Sequence, residues 1–515
     1  MFESAEIGHA VDDKTFKETV APLREALLAA QFELTTHKKF PVVIVVGGVD
    51  GAGKGETVNV LNEWMDARHI QAHAIGAPTS EEAERPPMWR FWRSLPPKGK
   101  IGIFFGAWHT QPILRRTYGE TSDAELDESL DEIVHFERML AAEGAVILKF
   151  WFHLSKKRQR KRLRSLSKDP KTSWRVTKLD WKHFELYDKF RRVSERALRR
   201  TSTAEAPWIV VEGSDPNYRY LTVGKVILDA LTKRLDLEEK KAEQKKAEAP
   251  LAQAPSPEEK KPAEAFLVPR SIDRRGLLDT IDLSLKLDPD EYDRRLAAAE
   301  RKLALLSRHR RFRKHSAIAA FEGSDAAGKG GAIRRLAAAL DARQFSVVPI
   351  AAPTEEERAQ PYLWRFWRHV AGKGRFTIYD RSWYGRVLVE RVEGFCRETD
   401  WRRAFEEIND FEEQLVRHGA VIVKFWLQID KDEQLARFQE REKTGFKHYK
   451  ITAEDWRNRE KWDHYVEAVG EMLDRTSTEI APWTLVEAND KHHARVKVLE
   501  TLGDALERAL SRRKP

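Results

Sequence analysis

A single cysteine, Cys396, in 515 residues excludes an intrachain disulfide and any zinc site built on several thiolates. So little cysteine suits a reducing compartment, and a cytoplasmic location is expected. Long apolar runs are missing too. The longest, around PVVIVV at 41–46, is far short of the ~18 residues a membrane-spanning helix needs. No basic-then-apolar leader occupies the first thirty residues, so neither a secretory signal nor a membrane partner is expected. Charge is plentiful in both signs: 91 Lys+Arg against 82 Asp+Glu leave a net +9. That excess favours polyanionic partners without choosing among nucleic acid, polyphosphate and nucleotides. No recognisable nucleic-acid module accompanies it, so nucleic acid is not expected as the partner.

What the chain does have is an internal repeat. Setting Lys54 against Lys329 aligns Gly47–Ala230 with Glu322–Ala505 without a gap, and about a third of the positions are identical. The strings DARxxxxxxIxAPTxEE, WRFWR, FE with GAVI, KFW and RTSTxxAPW recur in both copies. A repeat this long is a whole domain rather than a solenoid unit. Between the copies the composition turns to Glu, Lys, Ala, Gln and Pro, ending in APLAQAPSPEEKKP at 249–262, which has almost nothing to bury. The expected organisation is a first domain over 1–235, a linker over 236–265 and a second domain over 266–515. The first part of the linker, LEEKKAEQKKAE, is expected to extend the preceding helix until the prolines stop it.

Within the second copy, apolar runs predict strands at 317–322, 346–351, 376–379, 420–428 and 483–487, with helical patterns between them. Amphipathic helices are predicted ahead of each core, over roughly 13–36 and 290–310. Alternating strands and helices imply a parallel sheet covered on both faces, hence an α/β fold of two tandem P-loop domains.

The motif that carries chemistry is GSDAAGKGG at 323–331, matched by GVDGAGKGE at 48–56. It follows a strand and opens a helix. Glycines there let successive N–H groups of Gly323, Ala326, Ala327, Gly328 and Gly330 face phosphate oxygens, the helix N-terminus adds its dipole, and Lys329 adds a full charge. Neither copy has G-x-G-x-x-G here, which argues against a dinucleotide fold. The Ser or Thr that normally follows the lysine and holds Mg²⁺ is replaced by Gly330. Oxygen ligands must come from elsewhere, and Asp325 in the loop with Asp380 at the end of FTIYD form a candidate magnesium site. The alternative for Asp380 is a helix cap. Arg381 and Arg386 follow closely, placing cations near the same phosphates.

Taken together, GSDAAGKGG, APTEEE, WRFWR, YDRSWYGRVLVERVEGF, KFWLQI and RTSTEIAPW resemble the polyphosphate kinase 2 family. The resemblance covers both repeats and is stronger in the second. It implies a kinase core like that of thymidylate kinase, a helical lid, Mg²⁺ as cofactor, and phosphoryl transfer between inorganic polyphosphate and nucleotides. The tandem form with one degenerate half is similar to the fused subclass of that family, which makes ADP from AMP. Carried over, Asp325 and Lys329 fall in the Walker A loop and Asp380 with Arg381 in the Walker B segment. Arg437 and Arg441 fall in the lid, one helical turn apart, where they either meet one anion or form a solvated face. Tyr449 and Lys450 also match the lid, with Tyr449 standing where the family more often has Trp. Trp364, Phe366 and Trp367 read as core, and Arg365 and Arg368 as channel or surface.

The first copy keeps Asp50 and Lys54 but has Phe105 for Asp380, Gly106 for Arg381, Ala107 for Ser382 and Gln111 for Arg386. Losing that charge removes electrostatic stabilisation worth roughly 3–4 kcal/mol per donor, so this copy is expected to be inactive. Its basic segment KKRQRKRLRSLSKDPK at 156–171 either still holds polyphosphate or belongs to a packing partner, and a homo-oligomer is expected. The reaction read from the residues and the resemblance together is direct in-line transfer from polyphosphate to AMP at Asp325, Lys329, Asp380 and Arg381. The competing readings are transfer to nucleoside diphosphates, synthesis of polyphosphate from triphosphates, an ATP-dependent nucleotide kinase, and a non-catalytic nucleic-acid-binding protein.

Overall fold

The computed structural model describes residues 1–248, 277–443 and 453–511. The described residues form two compact units, one of 1–77, 90–248 and 354–364, the other of 78–89, 277–353, 365–443 and 453–511. Each unit thus contains the short helix of the other repeat, Glu355–Arg358 or Ser80–Ala83, opened by a capping box at Thr354 or Thr79.

The first unit holds strands β1 (Val42–Gly48), β2 (Ile70–Ala74), β3 (Ile101–Phe105), β4 (Val146–His153) and β5 (Trp208–Glu212). The second holds β6 (Ser316–Gly323), β7 (Phe345–Pro349), β8 (Phe376–Asp380), β9 (Ala420–Gln428) and β10 (Trp483–Glu487). Both sheets are wholly parallel and share one order: β2-β3-β1-β4-β5 in the first, with β7-β8-β6-β9-β10 repeating it in the second. The predicted strands of the second copy agree with these to within two residues at either end. The central strands β1 and β6 are buried on both faces, as SAIAAFE and VVIVV require. In each sheet the glycine loop leaves the carboxyl end of the central strand, where the chain order reverses and open α/β sheets bind ligands.

Long helices frame each sheet. Asp13–His37 packs on Pro216–Glu248, and Pro289–Arg308 packs on Lys491–Ser511. Asp12 and Asp288 cap the first members, each accepting two backbone N–H groups. Pro216–Glu248 continues through LEEKKAEQKKAE, as expected, whereas the prolines beyond it lie outside the described residues. No helix among the described residues is long and apolar enough to cross a membrane.

The recurring motifs meet in one buried node. In the second unit Lys424 Nζ, from KFW, donates to Glu412 (2.7 Å), to the Tyr384 hydroxyl (2.8 Å) and to the Thr476 carbonyl (2.7 Å), while Trp383 Nε1 donates to Glu412 (2.9 Å). In the first unit Lys149 bonds Glu137 (2.6 Å) and the Thr201 carbonyl (2.6 Å), and Trp108 bonds Glu137 (2.9 Å). Burial pushes the Glu412 carboxyl up and the Lys424 ammonium down. Trp367 and Phe366 pack edge-on against Phe411 and Trp383, confirming WRFWR as core. Arg365 is buried and donates to the Ala351 carbonyl (3.0 Å), a backbone role rather than a channel one.

Candidate active site

The second glycine loop is wound tightly because its sequence allows it. Gly323 has φ 147°, and a β-carbon there would lie 2.4 Å from the Leu427 carbonyl oxygen, so no other residue fits. Gly328, at φ 102°, precedes the helix Lys329–Ala338. Lys329 Nζ donates to the carbonyls of Gly323 (2.7 Å) and Ser324 (3.2 Å), which holds it over the loop. Burial pulls this ammonium below its usual range against the pull of Asp325.

Around the lysine, four segments bring polar groups together. Asp325 accepts from Arg381 (3.3 Å) and from Asn458 (2.9 Å), and its own carbonyl accepts from Gln434 (3.1 Å). Glu322, buried at the end of β6, accepts from the Ser382 N–H (2.6 Å) and hydroxyl (2.8 Å), and burial raises its pKa. Ser382 also caps the short helix Trp383–Arg386 by accepting from the Tyr384 N–H, so that role does not fall to Asp380. The Asp380 side chain instead lines the same cleft as Lys329. Arg381 sits at φ 62°, a left-handed conformation that costs a non-glycine residue roughly 1–2 kcal/mol. From this position the guanidinium reaches Asp325.

Two cavities meet at Asp325 and Arg381. One, of about 580 Å³, runs along the glycine loop between Arg334, Arg437, Arg441, Lys491 and Arg495, with Asp380 on its wall. The other is walled by Trp426, Trp462, Tyr465 and Leu388, with Glu322, Ser324, Gln428, Gln434 and Asn458 among its polar groups. A cationic trough thus abuts an aromatic slot. The carboxylates of Asp325 and Asp380 both face the trough, and a pair of carboxylates fits Mg²⁺, which takes one or two protein oxygens and completes its shell with water and phosphate.

Not every residue singled out from the sequence belongs to this set. Gly323, Asp325, Ala326, Ala327, Gly328, Lys329, Gly330, Asp380, Arg381 and Arg441 line one or both cavities. Arg437 lines the trough too, but its guanidinium is buried and engaged by Glu433 and by the carbonyls of Ala326 (2.9 Å), Ala488 (2.8 Å) and Asn489 (2.8 Å). It clamps the loop rather than sharing an anion with Arg441. Arg386 lines neither cavity and pairs with Glu390 one turn on (2.7 Å). Tyr449 and Lys450 lie outside the described residues. Glu322, Asn458, Arg334, Lys491 and Arg495 were not singled out.

In the first unit the loop keeps its shape, its aspartate and its lysine, and the charge lost is that of the facing segment, where Phe105 and Gly106 stand for Asp380 and Arg381. Lys54 bonds the carbonyls of Gly48 (2.7 Å) and Val49 (3.1 Å) as its counterpart does. Gly47 and Ala107 replace the Glu322–Ser382 pair, and His183 replaces Asn458 and binds Asp50 (2.8 Å). Glu56, in the place of Gly331, draws Arg162 (2.9 Å), Arg175 (3.2 Å) and Arg219 (2.9 Å) onto one carboxylate.

A five-stranded parallel sheet with a glycine–lysine loop at the carboxyl end of its central strand is a P-loop kinase-like domain, and this chain carries two in tandem. The chain belongs to the polyphosphate kinase 2 family, whose model matches residues 10–240 and 286–514. Among curated relatives, a protein of Pseudomonas aeruginosa named polyphosphate:AMP phosphotransferase is 59% identical over 514 residues, covering 100% of both chains. One of the same name from Pseudomonas syringae pv. tomato is 55% identical over 516 residues, again covering 100% of both. The crystal structure of a polyphosphate kinase 2 from Pseudomonas aeruginosa superposes with a TM-score of 0.88 at 56% identity, covering 100% of both chains.

Proposed function

We propose that this chain is a polyphosphate-dependent phosphotransferase that converts AMP to ADP, with the second domain, residues 266–515, catalytic and the first, residues 1–235, not. The observation that carries this reading is the meeting of a cationic trough and an aromatic slot at Asp325 and Arg381. A trough lined by arginines and a lysine suits an extended polyanion, and a slot with two tryptophans and a tyrosine suits a stacked base. The names of the full-length relatives support the same substrates.

In this mechanism an oxygen of the AMP phosphate attacks the terminal phosphorus of polyphosphate. The bond from that phosphorus to the bridging oxygen breaks, and the electron pair leaves on a polyphosphate one unit shorter. The attacking phosphate is already ionised at neutral pH, so no strong base is needed. Lys329 and Arg381 neutralise charge on the transferring group, the loop N–H groups orient it, and Glu322 through Ser382 fixes the segment that carries Arg381. Mg²⁺, held by Asp325 and Asp380, would supply further charge neutralisation at the phosphate oxygens. The cysteine-poor composition accords with work in the cytoplasm.

The test is an assay of purified protein with Mg²⁺ and polyphosphate, comparing initial rates with AMP and ADP at equal concentration. AMP is expected to be the faster acceptor, because shifting the attacking oxygen by one phosphate misplaces it by more than the ~1 Å that costs on the order of 100-fold. A faster reaction with ADP would reassign the chain to diphosphate use, and turnover only with ATP as donor would remove polyphosphate from the reading.

A further inference from the structure

The segment ahead of each framing helix is built alike in the two units and held differently. Both helices are capped by an aspartate, Asp12 or Asp288, and the N–H just before each cap donates to equivalent side chains, Val11 to Asp215 (3.3 Å) and Leu287 to Asp490 (3.4 Å). Counting back equally from the two caps reaches Phe2 and Leu278. Each sits at a short 3₁₀ turn, Glu3–Ala5 in the first unit and Leu277–Thr280 in the second.

In the first unit this turn is bolted down. Phe2 is wholly buried, stacking on His153 with ring centres 4.5 Å apart and on Trp151 at 6.1 Å. Glu3 accepts from Arg191 (2.8 Å), Glu6 bonds His153 (2.8 Å), and Glu212 accepts from the N–H groups of Gly8 and His9 (3.0 Å each). The second unit replaces or diverts these partners. Val466 stands for Arg191 and Gln428 for His153, while Glu487, which stands for Glu212, is engaged by Lys497 (2.7 Å) and His493 (3.2 Å). Thr280 and Ser284 bond within their own segment, to the Leu277 carbonyl (2.7 Å) and to Asp282 (2.6 Å).

Held in this way, the second turn meets the aromatic slot. Leu278 is one of the slot's walls, with Trp426, Gln428, Trp462, Tyr465 and Val466, and the turn packs on the helix Trp462–Thr476. Trp426 and Gln428 are the counterparts of Trp151 and His153, on which Phe2 lies, so one element covers the same ground in both units. A buried phenylalanine fills that ground in the first, and a half-buried leucine borders a cavity in the second. Because Asp325 and Arg381 line the same slot, a molecule with its phosphate there presents its uncharged remainder to these apolar walls. We infer that Leu278 is a substrate-contacting residue: the turn Leu277–Thr280 forms a strap along the slot, and the leucine packs on the base of the acceptor nucleotide. This inference rests on the reading of the slot as the nucleotide site.

Calorimetric titration of AMP into the full chain, with polyphosphate absent, tests the strap and the slot separately. Leu278→Ala is expected to weaken AMP binding about 10-fold, as loss of most of a leucine contact implies, and Leu278→Met to keep nearly all of it. In steady-state assays Leu278→Ala should raise the KM for AMP and leave that for polyphosphate unchanged. A matching rise in the KM for polyphosphate would mark the leucine as structural only and overturn the inference. Trp462→Ala, on the opposite side of the argument, reports on the slot itself. If Trp462→Ala loses AMP binding while Leu278→Ala keeps wild-type affinity, the strap inference fails and the slot stands. If Trp462→Ala binds AMP as the wild type does, or the wild type binds none, the slot is not the nucleotide site and the inference falls with it.

Discussion

The two glycine loops have nearly the same backbone and opposite chemistry. Arg381 and Ala326 hold left-handed conformations, φ 62° and 64°, and their counterparts Gly106 and Gly51 hold φ 69° and 78°. The fold therefore sets the path of the chain, and the side chains decide what that path does. In the second unit the strained positions carry a cation and a loop methyl, at a cost in stability that strained functional sites commonly bear. In the first, glycine adopts the same path at little cost and the cation is gone. The partners of the loop aspartate differ too. Asp325 is met by the cation Arg381 and the neutral Asn458, whereas Asp50 is met by His183 and Lys54.

The sharpest way to break this comparison is to neutralise one carboxylate in each unit. Asp380→Asn is expected to lower turnover by about 100- to 1,000-fold, while Asp50→Asn leaves most of it, and equal losses in initial rate would show both units to be catalytic. Next in size, Gly331→Glu copies the first unit's Glu56 into the second and places a carboxylate beside Arg495 in the trough. The KM for polyphosphate should rise at least about 10-fold while far-ultraviolet circular dichroism stays unchanged; an unaltered KM would put the polyanion elsewhere.

Arg381→Gly removes strain and charge together. Thermal unfolding should show the second unit stabilised by up to about 1 kcal/mol with turnover lost, and a destabilised variant would mean that the Arg381–Asp325 pair outweighs the strain. The smallest effect concerns pH. The hydrogen bond that His183 donates to Asp50 raises His183 above its usual 6.5, so the stability it adds to the first unit is fully present below that pH and lost as pH rises through the higher folded value. His183→Asn, which copies Asn458, should remove this dependence, worth less than about 1 kcal/mol at a partly exposed site, in melting curves taken across that range.

Strands such as FTIY and AVIVKFWLQ were legible because apolar runs bounded by helical patterns allow few alternatives. The loop lysine and its glycines were legible because spacing alone dictates their geometry. Glu322 was not, since a carboxylate ending an apolar strand gives no local sign that it will meet Ser382. Its only trace is the joint change to Gly47 and Ala107 in the other copy. Asn458 and Arg495 arrive on helices far along the chain, and their faces depend on how those helices dock. Arg437 was placed by its match to the lid segment and Arg386 by its closeness to Asp380, and neither reveals that backbone carbonyls or Glu390 already engage them.

The Lys424–Glu412 node has a consequence for how the second unit moves. It ties together β9, the helix Glu398–Arg417, the segment after β8 through Trp383 and Tyr384, and the end of the helix Trp462–Thr476. Separating β9 from the helix Glu398–Arg417 would strand a buried charge, at about 3–5 kcal/mol, and moving either of the others would leave buried hydrogen-bonding groups unmet. The four elements therefore fluctuate as one cooperative block, and small local openings are suppressed around Asp380 and Arg381. The segment bearing Asp380 and Arg381 is thus held in register through Trp383 and Tyr384, two and three residues beyond Arg381, whose bonds to Glu412 and Lys424 keep this wall of the trough fixed.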